Sequence, residues 1–211
     1  MLKTIAAAVT LSTFVIAAVV SHPVKAADKT SAPTTMPIPA DYREWIYLTS
    51  GMDMTYAQAG AVGLTADKKS VFDNVFVNPE AYKVFKQTGT WPDKTTFILE
   101  NRIGEPNVSI NKGGRTQSHD ISGLEIHAKM NNEWVFYVRG KDGQEHLVPK
   151  PASCYTCHEE HAASDTTFVQ FYPTLLPIAQ AKNTLSAAYL KETASPDGSG
   201  AGTTPVAPPT K

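Results

Sequence analysis

The chain has 211 residues, 42% of them hydrophobic, and a formal net charge of -1 at pH 7. That balance leaves no basic stripe to meet phosphates, which excludes a nucleic-acid binder. With the two low-complexity ends set aside, about 150 residues remain, the size of one domain, and no internal repeat divides them.

The amino terminus reads as an export signal. Lys3 gives a positive start, Ile5 to Val20 is an uncharged apolar run, and "SHPVKA" places Val24 and Ala26 where a signal peptidase reads. Residues 1–26 are therefore read as a cleaved signal, which points to a bacterial periplasm. The run is short for a membrane span. Residues 27–38 read as a flexible linker and 39–190 as the domain. Residues 191–211 are a Pro-, Gly- and Thr-rich tail with too few apolar side chains to offset the entropy of ordering.

Within the domain, "ADYREWIYLTSGMDM" suits a short helix or a helix-to-strand entry. "VFDNVFV" (71–77) is a strand by its β-branched and aromatic content. "NPEAYKVFKQTG" is a helix, with Asn78 to cap it, Pro79 and Glu80 in the first turn and Gly89 to stop it. "TTFILENR" (95–102) is the next strand. In "ISGLEIHAKM" (121–130), Leu124, Ile126, Ala128 and Met130 alternate with Gly123, Glu125, His127 and Lys129, so each set takes one face of a strand. "NNEW" turns, "WVFYVRG" (134–140) returns as a strand, and "KDGQEH" turns again. The segment "TTFVQFYPTLLPIAQAKNTLSAAYL" is helical in part and broken by Pro173 and Pro177. Antiparallel strands with short turns and inserted helices make an α+β fold built on a meander-like sheet.

Both cysteines of the chain lie in "PASCYTCHEEH" (151–161). Cys-x-x-Cys-His is the attachment pattern for c-type haem. Cys154 and Cys157 would form thioethers to the two vinyl groups, and His158 would ligate the iron. Zinc needs four ligands, and His161 and Glu159 are too near for finger spacing. A redox Cys-x-x-Cys belongs at a strand end in a βαβ unit, which this sequence lacks. A disulfide between the two would close a very small loop and gain little. The five methionines stand at positions 1, 36, 52, 54 and 130, none after Cys157. The usual electron-carrier layout, a methionine ligand well downstream, is thus absent.

"DYREWIYLTSG", "VFVNPEAYKVFKQTGTWPD", "ISGLEIHAKM", "WVFYV" and "CYTCHEEHAASDTTFVQFYPTL" occur in the order found in the cytochrome P460 family, which the chain resembles. The resemblance implies a mostly antiparallel β-sheet with peripheral helices, a homodimer, and one haem c per chain with His158 proximal and the distal side open. The family holds two functional types. Cytochrome P460 itself oxidises hydroxylamine and carries a lysine bonded to the haem. Cytochrome c′-beta lacks that bond, has an apolar distal pocket and binds NO and CO.

Aligned without gaps, the family's cross-linking lysine falls on Leu99 and its distal arginine on Asp73, while the carboxylate of "GLE" is matched by Glu125. The nearest lysine, Lys94, is about 17 Å of extended strand away. On pattern alone the Glu125 face is a solvated one, and only the resemblance makes Glu125 a distal carboxylate. Phe97 shares the face of Leu99 and is expected to help wall the pocket. His127 is expected at the surface or behind the first ring of contacts, with a sixth-ligand role as the alternative. Trp45, Trp91 and Trp134 are expected in the core. Three functions follow from these readings: a five-coordinate haem that binds NO or a similar gas, an enzyme with Glu125 as its base, and a six-coordinate electron carrier ligated by His127 or Met130. The redox partner is unidentified.

Overall fold

Residues 31–55 and 69–194 are described by a computed structural model. The export signal read over 1–26 lies outside them, as does the tail from 195 onward. Six strands, β1 (Ile46–Met52), β2 (Val71–Val77), β3 (Thr96–Pro106), β4 (Arg115–Met130), β5 (Glu133–Arg139) and β6 (Glu145–Leu147), form one sheet in chain order. Every neighbouring pair is antiparallel. Four helices, α1 (Pro79–Thr88), α2 (Ser153–His161), α3 (Leu176–Ala181) and α4 (Ala187–Thr193), complete the expected α+β fold, and the described residues fall in one unit. Among the described residues no helix is long and apolar enough to cross a membrane.

The alternation of β3 and β4 decides where the two cores sit. Ile98, Leu124, Ile126 and Ala128 point to one face and join Tyr42, Val135 and Tyr137. Phe97 points to the other face and joins Trp91, Phe85, Tyr172 and the apolar sides of α1, α3 and α4. The sheet is therefore covered on both sides, which corrects the reading of the Glu125–His127 face as solvated.

A bulge redirects β1. Its register with β2 slips between Tyr47 and Thr49, leaving Leu48 as the extra residue. Thr49 pairs with Val75 and so shares its face, although Ile46 and Leu48 also pack on that side. The β4–β5 hairpin turns through Asn131 and Asn132 at φ +53° and +63°, a conformation asparagine tolerates.

Three local readings change. Asn78 precedes α1, but its side chain accepts from the Thr96 amide at 2.8 Å instead of capping, so it ties the helix start to β3. Pro177 begins α3 rather than breaking it, because a first-turn proline gives up only an unused donor. The segment read as a linker reaches the fold at its far end. Pro33 accepts from the Tyr137 hydroxyl at 3.0 Å, Leu147 donates to Thr34, and Met36 and Ile38 pack on the second core. Met36 and Ile38 are thereby half-buried, while residues 33–35 and 37 stay exposed.

Candidate functional site

Helix α2 carries the Cys-x-x-Cys-His run. Residues three and four apart on a helix share a face, so Cys154, Cys157 and His158 project together. All three line a cavity of about 550 Å³ between α2 and the sheet. The sheet supplies the facing wall with Asp73 and Val75 from β2, Phe97, Leu99 and Asn101 from β3, Glu125 and His127 from β4, and Phe136 from β5. Thr49, Gly51 and Met54 extend it, and Phe168, Phe171 and Tyr172 close it beyond α2. The lining is mostly apolar and aromatic, as a site for a large flat ligand requires.

The chemistry of the donor set fits a haem. The cysteines are free, not bridged. Burial pushes the Cys157 thiol up, with Glu160, Cys154 and Glu192 adding to the effect. His158 Nδ1 lies 2.8 Å from the Thr166 carbonyl. A carbonyl only accepts, so Nδ1 carries the proton and Nε2 keeps its lone pair for a metal. Burial holds the His158 pKa below the usual imidazole value, partly offset by that hydrogen bond, and the neutral ring is the ligating form.

The sheet brings Asp73, Phe97, Leu99 and Glu125 to one wall of the cavity. Leu99 pairs with Val75 on one side and Glu125 on the other. Asp73 pairs with Asn101, whose amide donates to the Asp73 carboxylate at 2.6 Å. Burial raises the Asp73 pKa, the Asn101 hydrogen bond lowers it in part, and Asp53 adds to the rise. Glu125 is exposed by area because it faces the cavity, yet protein surrounds it. Burial raises its pKa, and the Asp73 charge raises it further. Gly123 lies beside this pair, and a Cβ there would come 2.7 Å from the Asn101 side-chain oxygen. Its missing side chain lets Asn101 hold Asp73. Among the described residues the cavity lining contains no lysine or arginine. Lys94 sits in the turn before β3 and is not part of the lining.

His127 is not at the surface. Its ring stacks on Phe136 at 4.2 Å and meets the His158 ring edge-on at 4.7 Å. Its Nε2 is buried without a hydrogen-bond partner, and burial holds its pKa well below the ordinary value. Two imidazoles on opposite sides of one metal, with bonds of about 2 Å each, hold their ring centres more than roughly 6 Å apart. His127 therefore stands beside His158, not across a metal from it. Met130 lies on the other face of the sheet, against Tyr137.

Several lining residues escaped the sequence reading. Asn101 and Phe136 share strand parity with Leu99 and His127, so alternation was enough to find them. Thr49 and Gly51 depend on the β1 bulge, and Phe168 sits in an irregular segment with no periodic signal. A family model described as Cytochrome P460 matches residues 39–169, which takes in β1 through α2 and the Cys-x-x-Cys-His run. None of the curated proteins compared with the chain matches it.

Proposed function

The chain belongs to the cytochrome P460 family and is a haem protein of that family; from that premise we propose that it is an exported monohaem c protein that binds NO or a similar small uncharged ligand. Cys154 and Cys157 hold the haem by thioethers and His158 ligates it. When bound, the haem supplies an iron with one coordination position for a ligand. The observation that carries the reading is Leu99 beside Val75 on the sheet wall, where the resemblance leads one to expect a lysine. Leu99 itself offers no donor to an anion or a fixed water, which favours neutral diatomic ligands at that position. The positions of His127 and Met130 support an iron without a second protein ligand. The motif and the amino-terminal signal support a periplasmic location.

Visible spectra of the ferric and ferrous protein, with and without NO, test this. A high-spin ferrous spectrum of ordinary haem c that changes on adding NO is expected. A low-spin spectrum indifferent to NO overturns the reading in favour of electron transfer. A strongly red-shifted ferrous band points to a cross-linked enzyme.

A second reading rests on Glu125. A carboxyl with a raised pKa in the cavity suits a general acid or base, and so favours turnover of hydroxylamine, peroxide or NO. It also predicts a charge effect. As pH rises through the Glu125 pKa the carboxylate forms and repels anionic ligands, so azide binding to the ferric protein weakens. Glu125→Gln is expected to bind azide at least roughly tenfold more tightly at high pH, because a unit charge within about 12 Å at an effective dielectric near 20 contributes about 1.4 kcal/mol or more. Its binding is also expected to depend less on pH. An unchanged pH profile removes Glu125 from the ligand's surroundings.

A further inference from the structure

We propose that Asp165 is a positioning residue for His158, acting through the Thr166 carbonyl. The inference rests on the reading of His158 as the haem ligand. The acceptor of the His158 Nδ1 proton is a backbone oxygen, so its place depends on what holds residues 163–167. Asp165 and Thr166 both adopt left-handed backbone, at φ +47° and +53°. Neither is glycine, and such residues persist only where the surroundings over-determine them.

The surroundings here do so through one carboxylate. Asp165 Oδ2 accepts from Lys129 Nζ at 2.8 Å and from the Trp91 amide at 3.1 Å, while Oδ1 accepts from Trp134 Nε1 at 3.2 Å. The donors come from β4, β5 and the turn before β3, so the sheet itself holds residues 163–167, a strap across its edge of the site. A second lock follows two residues on. The Trp91 indole donates to the Thr167 hydroxyl at 2.8 Å, and that hydroxyl donates to the Ser164 carbonyl at 2.6 Å. Ser164 and Thr167 are fully buried.

The arrangement has a chemical consequence. The carboxylate is one residue from the acceptor of the histidine proton, yet its three donors are all on the sheet side. It is kept off the imidazole, and a neutral carbonyl takes the hydrogen bond instead. The acceptor on the far nitrogen sets how basic a ligating histidine is. Fixing that acceptor fixes the electron donation His158 offers the iron. Lys129, Trp91 and Trp134 thus serve the proximal side, although none of them lines the cavity.

The test is the haem midpoint potential of Asp165→Ala and Lys129→Met, read with thermal melting and with covalent haem content by pyridine haemochrome. Loosening the carbonyl makes His158 less basic and favours the ferrous form. Each variant is expected to show a several-fold higher ratio of ferrous to ferric haem at the wild-type midpoint, with haem still attached. An unchanged potential in both variants, alongside a lower melting temperature, makes the strap structural and overturns the proposal. Lys129→Met leaves the strap's sequence intact, so it remains informative where Asp165→Ala does not fold. Absence of covalent haem from the wild-type protein instead sinks the underlying haem reading.

Discussion

A chain carrying Cys154→Ser and Cys157→Ser is expected to retain no covalent haem, shown by complete loss of haem staining at the polypeptide band on a denaturing gel. Serine keeps the size and helix compatibility of cysteine, so α2 and the cavity wall remain. What is lost is the only pair of thiols in the chain. Both face the cavity from one side of α2, a turn apart, with His158 directly after. Each single variant keeps one thioether and is expected to stain more weakly than wild type. Haem that survives denaturation of the double variant means another side chain is bonded to it, and the reading of Leu99 as an uncross-linked position fails. The family resemblance and the geometry thus stand on separate outcomes.

The second large effect concerns stability. Glu100→Ala is expected to lower the unfolding free energy by about 3–5 kcal/mol, the range for breaking a buried ion pair from one side. At about 3 kcal/mol a domain of this size loses roughly 10 °C in Tm. The Glu100 side chain is 3% exposed. It accepts from the Tyr42 hydroxyl, from Arg102, and from Arg43 Nε and Nη2 at 3.0 and 2.8 Å. Removing it takes the carboxylate from Arg102, which is largely buried and keeps only the Ser118 and His119 carbonyls, and takes the acceptor from the Tyr42 hydroxyl. Arg43 is half exposed and returns to water at little cost.

The same residue sets an acid limit. Burial pushes the Glu100 carboxyl up, but hydrogen bonds from Arg102, Tyr42 and Arg43 outweigh it and hold the pKa below the ordinary 4.5. A folded pKa below the unfolded one stabilises above the unfolded value, and that stability is lost as pH falls through the folded one. Glu100 therefore helps at neutral pH and ceases to help in strong acid. Tyr42 moves the other way, pushed up to about 12 by burial and by Glu100. Chemical denaturation at neutral and acid pH checks the Glu100 point: the penalty of Glu100→Ala shrinks as the acid form takes over in wild type.

Short-range signals made much of the molecule readable from sequence. Alternation in "ISGLEIHAKM" separated Leu124, Ile126, Ala128 and Met130 from the opposite set, and the structure keeps that separation. Proline at the start and glycine at the end marked α1. The Cys-x-x-Cys-His run was legible because covalent chemistry dictates its spacing. Alternation did not say which face was wet. That depended on α2 and the irregular segment beyond it folding back over the sheet, a long-range event. His127 shows the cost, since a histidine between glutamate and lysine reads as solvated until Phe136 and Trp134 are packed on it. Asp165 and Thr166 left no periodic trace because their role is held in backbone geometry and in donors more than 30 residues away. β6 was missed because three residues around a turn carry no pattern.

The two-sided sheet has a consequence for how such a protein can diversify. Asp73, Leu99 and Glu125 face the cavity, while Ile98, Glu100, Leu124 and Ile126, their neighbours in the chain, hold the opposite core. The Cys-x-x-Cys-His run sits on a separate element altogether, helix α2. A single codon change at 73, 99 or 125 thus rewrites the chamber without touching the Cys-x-x-Cys-His run or what keeps the scaffold folded. Scaffold and chamber are interleaved residue by residue while the Cys-x-x-Cys-His run stands apart, so the lining of the chamber can drift while the other two stay constant.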